Sequence, residues 1–72
     1  MVSKNIKTFR VVLSLDQHDF AKCIGVTQPT ISSWENGKSE PIISHFLVMV
    51  EMGASIDFLL FGRGSPLQRV SA

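Results

Sequence analysis

Residues Gln17 to Asn36 read QHDFAKCIGVTQPTISSWEN, two short segments with apolar edges that meet at one glycine. Ala21 stands where two helices would cross too closely for a larger side chain. Gly25 follows four residues later, where the chain must turn and a positive φ is cheapest without a Cβ. Ile31 lies six further on and Trp34 one helical turn beyond it, so a second helix packs on the first along one apolar edge. A small residue, a turn glycine and a buried aliphatic at these spacings suit a rigid helix-turn-helix that presses its second helix into a DNA major groove.

Working outward, the same stretch is framed by caps. Asp16 can accept from the first amides of the helix that starts at Gln17, and Asp19 adds negative charge to its first turn. Phe20, Ala21 and Ile24 form its buried stripe. Thr27 is placed to cap the next helix, and Pro29 fits the first turn because its missing N–H has no partner there. Asn36-Gly37 is a left-handed stop. Upstream, Ile6, Phe9 and Leu13 recur at helical spacing from about Lys4 to Leu13, with Ser3 as cap. Downstream, Lys38 to Pro41 is a loop. A fourth helix lies between Ile42 and Met52, with Ser44 as its cap and Gly53 as its end. A short fifth runs from Ile56 to Phe61 between Ser55 and Gly62. The expectation is an all-α bundle of five short helices over residues 1–63, followed by a flexible tail over 64–72 rich in Gly, Ser, Pro, Gln and Arg.

A chain of 72 residues with one cysteine has no internal disulfide, so its core must carry the fold, as suits a reducing cytoplasm. The longest apolar run, Phe46 to Val50, is far short of the ~20 residues of a membrane span, and Met1 to Phe20 does not read as a signal peptide. The net charge of +1 means that a DNA-binding face depends on the placement of few charges. Cys23, His18 and His45 lack metal-ligand spacing, and Cys23, close to Ala21 and Ile24, reads as a small apolar residue. Glycines 62 and 64 lack the strand and helix of a phosphate loop. Five short helices leave no cleft in which carboxylates could be tuned, so neither catalysis, a metal nor a cofactor is expected.

In a major-groove docking, Gln28, Pro29, Thr30, Ser32 and Ser33 would face base edges, because Ile31 and Trp34 point inward. The Gln28 amide can donate to N7 and accept from N6 of one adenine, worth roughly 1–3 kcal/mol of discrimination. Thr30 and Pro29 suit a thymine methyl, and Ser32 and Ser33 can donate or accept. Gln17 opens a helix whose N-terminus can hold a phosphate. Trp34 reads as a core residue beside Ile31 in preference to an interface aromatic. The fourth helix is apolar nearly all round, from Ile42 to Met52, and the fifth adds Ile56, Phe58, Leu59, Leu60 and Phe61. A domain of this size cannot bury all of them, which favours a homodimer covering such residues as Ile42, Ile43, Phe58 and Phe61.

From Gln17 to Gly62 the chain resembles the lambdoid-phage repressor and Cro family, through QHDFAKCIGVTQPTISSWENGKSEP and GASIDFLLFG. The resemblance implies a lambda repressor-like DNA-binding domain and a dimeric, phage-type repressor on a pseudo-palindromic operator. It supports the reading role of Gln28 and lays Asn36, Lys38 and Ser39 against the DNA backbone. It also pairs Arg10 with Glu35, holding the guanidinium beside a phosphate while joining the first helix to the third. The chain departs from the family pattern at Ser14, where a glycine often ends the first helix. It also departs in a recognition face without long side chains, and at Ile42-Ile43. The rival reading is a protein-interaction module, an antitoxin or an antagonist of another regulator; a third is the DNA-binding half of a longer repressor.

Overall fold

Caps and apolar spacing place five α-helices along the chain: α1 (Val2–Val12), α2 (Gln17–Ile24), α3 (Gln28–Glu35), α4 (Ile43–Glu51) and α5 (Ile56–Phe61). These come from a computed structural model that describes residues 2–68. The fold is all-α, with one isolated antiparallel bridge, Ala54 to Leu67, among the described residues. α1 packs on α3 and α5, and α2 on α3 and α4. Between them lies one core built from Ile6, Phe9, Phe20, Ala21, Ile24, Ile31, Trp34, Phe46, Met49, Ala54 and Leu59. Phe9 and Phe20 meet edge to face at 6.0 Å. The Trp34 ring, at the joint between α3 and α4, lies 5.0 Å from the ring of His45.

The turn between α2 and α3 forms as its residues dictate. The Asp16 carboxylate accepts from the Asp19 N–H at 2.8 Å, and Gly25, at φ 90°, donates its N–H to the Ala21 carbonyl at 2.8 Å. A Cβ on Gly25 would meet nothing within 4 Å, so the left-handed backbone, and no shortage of space, calls for glycine. The same logic closes α5: Ser55 Oγ accepts from the Phe58 N–H, and Gly62 ends the helix at φ 70°.

Elsewhere the structure departs from expectation. Ser3 does not cap α1, because helical structure already begins at Val2, whose side chain packs on the core and extends the stripe of Ile6 and Phe9. Ser14 itself takes the left-handed conformation, φ 59°, that ends this segment. Thr27 stands at the N-cap of α3, yet its hydroxyl bonds Thr30 Oγ1 at 2.9 Å. One of the two amides it could have capped is missing, since the second helical residue is Pro29. Ser44 falls inside α4, which starts a residue earlier, after Ile42; there His45 Nδ1 reaches back to accept the Ile42 N–H at 3.3 Å. Cys23 is exposed. Asn5 is buried within α1 and donates to the Leu59 carbonyl at 3.2 Å, taking up one of the carbonyls orphaned at the end of α5.

Within the tail expected from residue 64, the described residues up to Gln68 form hydrogen bonds back to the loop after α4. The Ser55 N–H donates to the Pro66 carbonyl, and the Gln68 N–H to the Gly53 carbonyl. The Gln68 side chain donates to the Ala54 carbonyl at 2.9 Å, so the loop after α4 finds its partners in this returning segment. The rest of the expected tail, 69–72, lies outside the described residues.

Candidate nucleic-acid interface

The outward side of α3 forms a shallow concavity of about 290 Å³, lined by Gln28, Pro29, Ser32, Ser33, Asn36 and Lys38. Four of the five expected base-facing residues are thus brought together. Thr30 is turned aside to Thr27. Gln28 and Pro29 are exposed, while Ser32 and Ser33 are half-buried. Ile31 and Trp34 face the core beneath them.

A chain of hydrogen bonds runs from α1 to the tip of this face. Arg10 grips Glu35 with two bonds, Nε to Oε2 at 2.7 Å and Nη2 to Oε1 at 3.1 Å. A third guanidinium bond, Nη1 to the Leu15 carbonyl at 2.8 Å, ties in the loop before α2. The pair is largely withdrawn from water, with side-chain exposures of 12% and 4%. The bond from Glu35 raises the guanidinium further above its usual range despite the opposing effect of burial, so Arg10 stays charged wherever the protein is folded. This is a buried, bidentate pair, unlike the surface contacts worth little to stability.

The carboxylate then sets the direction of everything beyond it. Glu35 Oε1 only accepts, so the amide nitrogen of Gln17 faces it, at 3.1 Å. The Gln17 oxygen is thereby aimed at Gln28, whose Nε2 donates to it at 2.6 Å. One N–H of Gln28 is used; the second N–H and Oε1 take no hydrogen-bond partner among the described residues, and these are the two groups that a bidentate contact to adenine needs.

The flanking residues are held in the same way. Ser33 Oγ lies 2.8 Å from Ser39 Oγ, tying α3 to the loop after it. Asn36 Nδ2 donates to the Ser32 carbonyl at 2.9 Å. Lys38 is exposed at the rim. Of the residues suggested for a dimer contact, Ile42, Ile43 and Phe61 are 62%, 70% and 61% exposed, and Phe58 is half-buried. Leu47, not singled out from the sequence, is 55% exposed as well.

Sequence reasoning missed two features. The Leu15 carbonyl as a third partner of Arg10 leaves no mark on residue type. Asp16, read only as a cap, also places a carboxylate at the start of α2, where it opposes an approaching phosphate and acts on Arg10. Its negative charge was the available signal. No helix among the described residues is long and apolar enough to cross a membrane. A helix-turn-helix family model matches residues 6–46, more than half of the chain, and spans α1 to the middle of α4.

Proposed function

Because this chain belongs to the Cro/CI-type helix-turn-helix family of DNA-binding regulators, we propose that it is a sequence-specific repressor of phage or prophage type. It binds a pseudo-palindromic operator as a dimer. The observation that carries this reading is the chain Arg10–Glu35–Gln17–Gln28, which presents one fixed amide edge at the exposed start of α3. A loose surface glutamine would lose much of its selectivity to rotamer freedom; one held by a neighbour is set for a single edge of a base.

In the proposed complex, Gln28 reads adenine, Pro29 lies against a thymine methyl, and Ser32 and Ser33 bond base edges. Arg10, Gln17, Lys38 and Ser39 hold the phosphate backbone. Arg10 has five N–H donors and spends three within the protein, which leaves two for a phosphate. A second copy covers Ile42, Ile43, Leu47 and Phe61, and sets the two recognition helices ~34 Å apart on one side of the duplex. Repression follows from occupation of a promoter.

The test is a salt titration of binding to the DNA upstream of the protein's own coding sequence, with a scrambled duplex beside it. Tight, salt-sensitive binding to the native fragment is expected, and Gln28→Ala should weaken it roughly tenfold while changing the scrambled duplex little. Equal weak binding to both duplexes would overturn the reading in favour of a protein partner such as a toxin or another regulator.

A further inference from the structure

Two adjacent serines face the concavity on α3, and their hydroxyls are not equivalent. Ser33 Oγ shares a hydrogen bond with Ser39 Oγ in which either oxygen can donate, so Ser33 can offer a proton or a lone pair outward. Ser32 has no such freedom. Asn36 Nδ2 is 2.9 Å from the Ser32 carbonyl, and a carbonyl oxygen only accepts. The nitrogen end of the Asn36 amide therefore faces Ser32. The same nitrogen lies 3.3 Å from Ser32 Oγ and donates to it as well.

A hydroxyl has one proton and two acceptor sites. With an N–H directed at its oxygen, the Ser32 proton must turn away from Asn36. Among the described residues no protein acceptor takes that proton, and Ser32 lines the concavity with Gln28, Pro29 and Ser33. Resting on the operator-binding reading above, we infer that Asn36 is a positioning residue that fixes Ser32 as a hydrogen-bond donor toward the major groove. Ser32 thereby selects a base edge that carries an acceptor.

The major groove translates this polarity into sequence. Guanine offers O6 and N7, adenine N7 and thymine O4, all acceptors, whereas the cytosine edge offers only the N4 amino donor. A donor-only serine accepts any of the first three and meets cytosine with two donors opposed. The phosphate contact that the family resemblance implies for Asn36 competes with this arrangement, because both hydrogen bonds of the Asn36 nitrogen go to Ser32.

The experiment is selection of operator half-sites from a randomised duplex library at one salt concentration, with the full chain and with Ser32→Ala, Asn36→Ala and Asn36→Asp. Ser32→Ala identifies the base pair that Ser32 faces, as the position whose preference disappears. There the unmodified chain should disfavour cytosine roughly fivefold, the scale of one net hydrogen bond. Asn36→Ala keeps the hydroxyl but frees it to rotate, so cytosine should recover to within about twofold of the other bases. Asn36→Asp should also erase the preference, because its carboxylate draws the Ser32 proton inward; it serves as the second variant if Asn36→Ala fails to melt as a folded protein.

The inference is overturned if Ser32→Ala alters no position. It is equally overturned if the Asn36 variants keep the cytosine penalty and lose affinity for every sequence alike, the signature of a phosphate contact. Should the unmodified chain enrich no sequence at all, the operator-binding reading itself falls, an outcome distinct from both.

Discussion

Around α2 and α3, polar side chains hold one another; around α4 and α5, large apolar side chains stand more than half exposed. In the first region a buried carboxylate orients Gln17, and Gln17 orients Gln28, so a surface residue inherits its geometry from the interior. In the second, Ile42, Ile43, Leu47 and Phe61 lie in water although each has a large apolar side chain. The contrast separates two uses of a small domain. One face is closed by hydrogen bonds within the chain; the other leaves apolar surface that, on the proposed reading, a second copy covers.

The sharpest way to break the comparison is to remove the carboxylate that orders the first region. Glu35→Ala leaves Arg10 charged and largely buried without its partner, and should lower stability by about 3–5 kcal/mol in urea unfolding. Loss of less than ~1 kcal/mol would reduce the pair to a surface contact. The matching change in the second region is Phe61→Asp. Being 61% exposed in the monomer, it should leave monomer stability within about 0.5 kcal/mol. Sedimentation should nevertheless show the dimer lost, with operator affinity falling tenfold or more. A monomer at all concentrations, with operator affinity untouched by the change, would show that this face needs no cover.

Smaller effects sharpen the picture. Asp16→Asn keeps an N-cap acceptor for Asp19 while removing a negative charge from the start of α2. DNA binding should tighten roughly three- to tenfold for any duplex at low salt, and the gain should shrink as salt is raised. Ser14→Gly addresses neither region directly. At φ 59° a serine carries a cost that glycine avoids, so a gain of about 0.5–1 kcal/mol in thermal or urea unfolding is expected, with operator affinity unchanged.

What could be read from the chain follows how local the responsible interaction is. Asp16, Gly25, Ser55 and Gly62 act on backbone within a few residues, and their types alone place the ends of α2 and α5. Thr27 and Ser44 are equally good cap residues by type. Yet Pro29 removes an amide from the reach of the first, and His45 serves the α4 terminus ahead of the second. Those outcomes depend on neighbouring residues and not on the cap residue's own type. Asn5 and Gln68 are less legible still, since their partners, the Leu59 and Ala54 carbonyls, are 54 and 14 residues away. The composition of the tail suggested fraying, and no local rule could reveal that its backbone pairs with the loop before α5. At the interface, residue types pointed to Gln28 and its neighbours, but the polarity of their hydrogen bonds depends on partners brought together only by folding.

Trp34 is the only tryptophan in a chain that has no tyrosine. Near-ultraviolet absorbance and fluorescence therefore arise almost wholly from one indole, seated where α3 meets α4 and facing the His45 ring. α3 thus carries its own optical label. Its emission follows unfolding, any shift of α3 against α4, and the approach of a duplex to the adjacent face, with no dye or added cysteine chemistry.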